Sequence, residues 1–415
     1  MSQTLYHYLP WFILKNIPGV GNILYKRLIQ RFGSPDDVLN AHQNDLAAVK
    51  GMSKKTLSAI LNPAFRASSV TDQLKKEMQQ IERAGFKIVT MVEQNYPALL
   101  KQIPDPPPYF TYIGSLDPVS DQSQSSQLPS SIAIVGSREA TSYGLKNAES
   151  LAYDLVLNGF EVVSGMAIGI DTSAHRGALK AGGRTVAVLG SGLSKIYPSE
   201  NRGLFYKIAD NGAVISEFRV NDEPEGRHFP IRNRIIAGIS LGTVVVEAAQ
   251  KSGSLITARL AAEYNREVFA VPGDIHSFKS AGTHALLKQG AKLVANYIDI
   301  VEEFAYISNL KVEDQKHCDQ AESKKSKSKF KENSLFEDKP NNQKNKTDKQ
   351  TLSLFEPDNY QSAVLNILQS SPMHIDKIIE QSGLDTAGIT AALMALELMG
   401  IVKHSPGKMF YKNSL

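Results

Sequence analysis

Between residues 132 and 274 the chain alternates between short, unbroken apolar runs and longer stretches in which apolar residues recur every three or four positions. The runs are IAIVGSR (132–138), EVVSGMAIGID (161–171), TVAVLGSG (185–192), AVISE (213–217), TVVVEA (243–248) and EVFAVPGD (267–274). A run with no polar alternation is the pattern of a strand covered on both faces, and the helical period between the runs supplies the cover. The pattern predicts an extended Rossmann-like, doubly wound, mostly parallel α/β sheet. Such sheets bind ligands at the carboxyl ends of their strands, which here carry Gly136-Ser137-Arg138, Ser164-Gly165, Gly190-Ser191-Gly192 and Ser216-Glu217.

The flanks follow other periods. Residues 14–61 read as small helices punctuated by glycine, and Ile17-Pro18-Gly19-Val20-Gly21 before NILYKRLIQRFG has the form of a helix-hairpin-helix. Its glycines allow the tight turn, and the N-terminus of the next helix can receive a backbone phosphate. Val49-Lys50-Gly51-Met52-Ser53 is a weaker second copy in which serine replaces the second glycine. Two readings stand for this module: a DNA contact using Lys26, Arg27, Lys54 and Lys55, or a helical packing unit that touches no nucleic acid. A helix over 73–84, a strand over 87–92 and a proline-rich extended lead-in over 105–116 connect it to the sheet, with a serine- and glutamine-rich surface loop at 120–131.

After the sheet, 311–350 holds lysine, serine, asparagine and acids with almost no apolar residues, so it is expected to be a disordered tether. The pattern then resumes with helices at SAVLNILQ, HIDKIIEQSG and AGITAALMALELMG and a hairpin around Ser405-Pro406-Gly407, which predicts a winged helix-turn-helix. Its second motif helix, 387–399, contains no arginine or lysine, which argues against sequence-specific reading of a major groove. The expected domains are therefore a helix-hairpin-helix (SAM-like) module at 1–70, the Rossmann-like domain at 71–310, a linker at 311–358 and a winged helix at 359–415.

Composition changes this picture little. At 415 residues two or three domains are expected. The lone Cys318 excludes a disulfide framework and a cysteine-based metal site, and fits a reducing cytoplasm. No apolar run reaches the roughly 18 residues of a membrane span, and the first residues lack a basic region and a cleavage site, so a cytoplasmic protein without a membrane partner is expected. A net charge of +4 hints at an acidic partner.

The candidate chemistry is that of binding. No Walker A loop follows any strand, and Gly136-Ser137-Arg138 departs from the dinucleotide fingerprint because an arginine stands where a bare glycine turn belongs. Arg138 reads as a phosphate hook, with small residues at the strand ends letting a sugar-phosphate approach; the alternative is that Gly136 and Gly165 only permit tight turns. Arg227-His228-Phe229-Pro230-Ile231-Arg232-Asn233-Arg234 interleaves cations with a ring, which suits single-stranded nucleic acid. Against that, Phe229 could be core and Arg232 could sit in a buried ion pair. Catalytic groupings are poor. Asp171 and His175 share a helix face, but Asp171 reads better as the N-cap of a helix beginning at Thr172, and no serine or cysteine nucleophile stands in an elbow. Glu217 and Glu247 could act as acids or hold arginines in place, and His276 and His284 lack metal-ligand spacing. No catalytic residue, metal or cofactor is expected.

These motifs together resemble one family. IAIVGSR, VVSGMAIGIDTSAHRGAL, TVAVLGSGLSKIYPSEN, FPIRNRIIAGIS, VVVEAAQKSGSLITARLAAE, REVFAVPGD and GTHALLKQGA run in the order found in the bacterial DNA-processing protein A (DprA/Smf) family, whose flanking modules the two ends also resemble. The resemblance implies a protein of natural transformation that binds incoming single-stranded DNA, forms homodimers through the α/β domain and helps load the recombinase RecA. It also implies that Gly136, Ser137, Arg138, Ser164, Gly165, Gly190, Gly192, Phe229, Arg232, Asn233 and Arg234, with Arg227 or His228 as a further basic residue, line the DNA pocket. Two other classes remain open: a nucleotide phosphoribohydrolase, whose PGGxGTxxE pattern is faintly echoed from Ile239 to Glu247, and a scaffold whose terminal modules bind partners.

Overall fold

Gly21, Gly33, Ser34 and Ser53 set four of the ends of the amino-terminal helices. In the computed structural model these are α1 (Leu9–Asn16), α2 (Asn22–Phe32), α3 (Pro35–Asn40), α4 (Gln43–Ala47) and α5 (Lys54–Leu61). Gly19 and Gly51 take φ of +88° and +92° in the two hairpins that precede α2 and α5, so both copies of the motif form. In the second copy the Ser53 hydroxyl accepts from the amide of Thr56, which caps α5 where the first copy has only Gly21. The structure describes residues 6–116, 131–304, 359–368, 373–384, 386–398, 401–405 and 409–412. Residues 120–130 of the loop expected at 120–131, the linker at 311–358, Cys318 and wing-tip residues Pro406 and Gly407 lie outside them, while Ser131 begins a strand instead of ending the loop.

The module leads through α6 (Ser68–Arg83) into β1 (Lys87–Thr90), α7 (Ala98–Gln102) and β2 (Tyr109–Gly114). Strands and helices then alternate: β3 (Ser131–Val135), α8 (Ser142–Leu157), β4 (Glu161–Ser164), α9 (Ile170–Lys180), β5 (Thr185–Val188), α10 (Arg202–Asn211), β6 (Ala213–Ser216), α11 (His228–Ile239), β7 (Gly242–Val245), α12 (Ser254–Glu263), β8 (Glu267–Ala270), α13 (Ala281–Lys288), β9 (Lys292–Leu293) and α14 (Ile298–Val301). They form one sheet in the order β1-β2-β6-β5-β4-β3-β7-β8-β9. Strands β3 to β9 are parallel, while β1 and β2 run antiparallel at one edge, β2 pairing Thr111 with Ser216 of β6. The six apolar runs give β3 to β8, and β3 and β5 to β7 are buried at every position, as their lack of alternation requires. The short edge strand β9 has no such run.

The helical module shares its core with the sheet. Trp11, Phe12, Leu28 and Ile60 belong to the same buried cluster as Ile88, Phe110, Val135 and Ile235. Phe12 stacks on Tyr109 with centroids 4.3 Å apart. Two of the four basic residues considered as DNA contacts are occupied here. Lys26 Nζ donates to the carbonyls of Lys101 and Ile103 at 3.0 and 2.7 Å, and Arg27 Nη1 donates to the Lys50 carbonyl at 2.8 Å. They satisfy the last carbonyls of α7 and the second hairpin. Lys54 and Lys55 stay exposed.

The chain divides into two compact units, 1–316 and 317–415. In the second, α15 (Asn359–Ile367), β10 (Met373–His374), α16 (Ile375–Ser382), α17 (Thr386–Leu398), β11 (Val402–Ser405) and β12 (Met409–Lys412) form a winged helix around Val364, Ile378, Ile389, Leu396 and Val402. Its sheet order is β10-β12-β11. Strand β10 takes His374, the first residue of the expected helix HIDKIIEQSG, together with Met373 before it.

Candidate nucleic-acid interface

The carboxyl ends of β3, β4 and β5 meet the amino end of α11, and the sequence-predicted residues separate there into two sets. One set faces solvent. Arg138 is exposed and its guanidinium carbon lies 4.8 Å from the centroid of the Phe229 ring; unlike Arg227 and Arg234, it forms no ion pair among the described residues. Phe229, half-buried at the start of α11, also has Arg232 6.0 Å from its centroid, so two cations flank one ring. Arg138, Gly165, Gly190 and Phe229 border a hollow of ≈ 230 Å³, joined by Ile168 and Tyr197. Tyr197 is 44% exposed and its ring centroid is 5.9 Å from that of Phe229. Neither Tyr197 nor Ile168 was singled out from the sequence, although an aromatic five residues beyond the Gly190-Ser191-Gly192 turn was the available signal.

The other set points inward. Arg232 is 4% exposed; its Nη1 donates to the carbonyls of Gly165, at 2.7 Å, and Val188, tying the ends of β4 and β5 together. Asp171 is its electrostatic partner. Burial pushes the guanidinium down to about 10, which leaves it charged at neutral pH. Burial also holds the Asp171 carboxyl above the usual range, with Arg232 opposing that rise. Asn233 Nδ2 donates to the Gly253 carbonyl at 3.2 Å, which fixes the turn before α12. Arg234 pairs with Glu217 at the end of β6 and with Asp105 at 3.5 Å, and donates to the Asp105 carbonyl at 2.6 Å. Arg232, Asn233 and Arg234, read from the sequence as lining a DNA pocket, are thus buried and each donates to protein groups, while the buried Arg232 Nε has no partner. Ser164 is likewise internal, donating to the Ile134 carbonyl at 2.7 Å.

On the side where a Cβ would project, the glycines give room to protein groups. A methyl at Gly165 would meet the Arg232 guanidinium, and one at Gly190 would lie 2.8 Å from the Phe229 ring. At Gly136 it would lie 2.6 Å from Ile170 and 2.9 Å from the Glu247 carbonyl, and at Gly192 it would strike the backbone of Arg219 and Val220. Gly165 and Gly190 thus let Arg232 and Phe229 seat against the strand ends. The Ser137 hydroxyl accepts from the Glu139 amide at 3.1 Å and shapes the turn that presents Arg138. Of the two candidates for a further basic residue, His228 is buried and stacked on Phe218 at 4.2 Å, while Arg227 is exposed and pairs with Glu225 at 2.7 Å.

The acids and histidines considered as catalysts have structural partners. Helix α9 begins at Ile170 with Gly169 as its N-cap, so Asp171 lies inside the first turn and accepts from the Ala167 amide at 3.3 Å; the N-cap assignment is corrected. Glu247 accepts from the amide and hydroxyl of Thr141 at the start of α8. Gly242 and Thr243, the centre of the phosphoribohydrolase echo, lie within β7, where no loop is available to receive a nucleotide. His284 Nε2 lies 3.1 Å from the Gly273 carbonyl.

His175 is fully buried, and its Nδ1 is 2.7 Å from Thr185 Oγ1. That hydroxyl donates to the Val162 carbonyl at 2.8 Å, so Nδ1 carries the imidazole proton. Burial, with Arg232 as a second cause, pushes the ring pKa from 6.5 down to about 3. The unfolded chain takes up a proton below about 6.5 that the folded chain refuses, so this contribution is fully present above that pH and is lost as the pH falls, by up to about 1.4 kcal/mol per unit. His175→Gln is expected to flatten the loss of stability between about pH 7.5 and about pH 5. Urea midpoints of the two proteins at both pH values check this, and parallel declines would refute it.

The family described as DNA recombination-mediator protein A matches residues 87–305, more than half of the chain; the DprA winged helix domain matches 349–408 and a SAM-like helix-hairpin-helix tandem matches 13–62. Protein Smf of Synechocystis sp. is 34% identical over 414 residues, covering 97% of this chain and 98% of that protein. The chain belongs to the DNA processing protein A family. The DNA processing protein DprA of Streptococcus pneumoniae is 40% identical over 254 residues, 60% of this chain and 85% of that protein. The X-ray structure of DprA from Streptococcus pneumoniae superposes with a TM-score of 0.61 at 34% identity, covering 73% of this chain and 99% of that chain. Family membership supplies the α/β domain and both flanking modules. Among the described residues, no helix is long and apolar enough to cross a membrane.

Proposed function

We propose that this DNA processing protein binds single-stranded DNA at the carboxyl ends of β3 to β5 and acts as a recombination mediator in natural transformation, protecting incoming DNA and helping to load RecA. One observation carries the reading: an accessible aromatic ring, Phe229, lies under the exposed guanidinium of Arg138 at the rim of a hollow. A base can stack on Phe229 or Tyr197 whatever its identity, while Arg138 neutralises the adjoining phosphate. In this reading Arg232, Asn233 and Arg234 position the site from beneath, and the glycines seat them. The chain acts as a homodimer in the cytoplasm and without catalysis, in keeping with Asp171 and His175 being committed to separate partners.

Titration of fluorescent single- and double-stranded oligonucleotides at several salt concentrations tests this, together with incubation with nucleoside monophosphates. Salt-sensitive binding that prefers single strands, with no free base released, is expected. Equal affinity for duplex, or release of base at enzymatic rates, would overturn the reading. Arg138→Ala is expected to weaken binding to all sequences alike and to lower the salt slope by about 0.7, the value for one phosphate on a single strand. An unchanged slope would place the phosphate contact elsewhere.

A further inference from the structure

The rim of strand ends continues past the Arg138 turn. Strand β8 lies two positions from β3 in the sheet, roughly 10 Å away. The loop after it carries Ile275 and Phe278, 80% and 70% exposed. A single exposed apolar side chain needs no explanation, but a cluster does. Here Tyr143, 52% exposed, joins the same loop by donating from its hydroxyl to the Pro272 carbonyl at 2.8 Å.

The loop is fixed by its own contacts. The Asp274 carboxylate accepts from the His276 amide at 2.8 Å, and the Ala248 amide donates to the Lys279 carbonyl at 2.8 Å. Lys279 Nζ donates to the carbonyl of Glu139, the residue after Arg138, and lies 5.8 Å from the centroid of the Phe278 ring. The arrangement at Phe229, a cation near an accessible ring at a strand end, therefore recurs two strands away. A hydrogen bond joins the two turns. At the base of the loop lies a hollow of ≈ 580 Å³ bordered by Thr141, Tyr143, Glu247, Pro272, Asp274 and Ser277.

We infer that the loop over residues 274–279 is a second stacking platform for the same DNA strand, with Phe278 receiving a base beyond those held at Phe229 and Tyr197. The inference rests on the single-strand reading of the Arg138 and Phe229 site. Cations paired with rings favour a nucleic acid over a protein partner, because the centre of a protein interface is depleted of charge. The nearby carboxylates of Glu139 and Asp274 give this platform little net positive charge, so it holds the strand by stacking and not by phosphate neutralisation.

The test compares the full-length chain with Phe278→Ala, Phe278→Trp and Phe229→Ala on oligothymidylates of about 6 and about 20 nucleotides. Phe278→Ala is expected to bind the short oligonucleotide as the wild type does and the long one about tenfold more weakly, with an unchanged salt slope. Phe278→Trp should restore the long-strand affinity. Wild-type binding of both lengths by Phe278→Ala would overturn the inference, and altered self-association in that variant would assign the surface to a second copy of the chain. Phe229→Ala should weaken both lengths; if it binds both normally while Phe278→Ala does not, the primary site has been misplaced. If the wild-type chain binds neither length, the primary reading falls and this one with it.

Discussion

Replacing Arg232 with methionine is expected to destabilise the α/β domain by about 2–6 kcal/mol, the cost of leaving two buried carbonyls without their donor at about 1–3 kcal/mol each. The guanidinium is 4% exposed and donates to the carbonyls of Gly165 and Val188, which end adjacent strands. Methionine fills a similar volume but supplies no donor, so both carbonyls lose their partner and the buried Asp171 carboxylate loses a compensating positive charge. Urea unfolding near neutral pH measures the effect as a shift in midpoint at constant slope. Adding Asp171→Asn to Arg232→Met should recover part of the loss, because the uncompensated charge goes with it. A midpoint within experimental error of the wild type would show that Arg232 is not the clamp between β4 and β5.

The second large effect is on binding. Phe229→Ala is expected to cost about 1–3 kcal/mol of single-strand affinity, the value of one stacked base, or roughly 5- to 150-fold. The loss should exceed that of Arg138→Ala at high salt, where phosphate contacts are screened and stacking persists. Part of it comes from Arg138 itself, which lies 4.8 Å from the ring centroid and would lose the surface that orients it. Phe229→Tyr should stay near the wild type. Oligonucleotide titrations at low and high salt separate these terms, and an alanine variant that binds normally at both would remove Phe229 from the site.

The six apolar runs identified β3 to β8 because burial on both faces leaves a pattern readable without knowing the neighbours. The edge strand β9, two residues long, and β10 of the winged helix were not legible, since so short a strand is defined only by its partner. The helix-hairpin-helix was recognised from Gly19 and its sequel, but not that Lys26 and Arg27 cap carbonyls from distant parts of the chain. The loop rich in arginine, singled out for interleaving cations with a ring, divides: Phe229 reaches the hollow, while Arg232 and Arg234 serve the interior.

What the sequence determined by itself was the order of elements, the small residues and arginine that stand at the strand ends and the family to which the motifs belong, because periodicity and turn residues are local properties of the chain. Only the tertiary structure decided which arginine is free. Arg138, Arg227, Arg232 and Arg234 are the same residue chemically, and their spacing does not distinguish them. The difference lies in whether a carbonyl or carboxylate from another strand stands within reach, as Gly165 and Val188 do for Arg232 and Glu217 and Asp105 do for Arg234. A buried cation must find such partners or lose its charge, and an exposed one need not. Arg138, left uncommitted beside an accessible ring, is the outcome of that sorting.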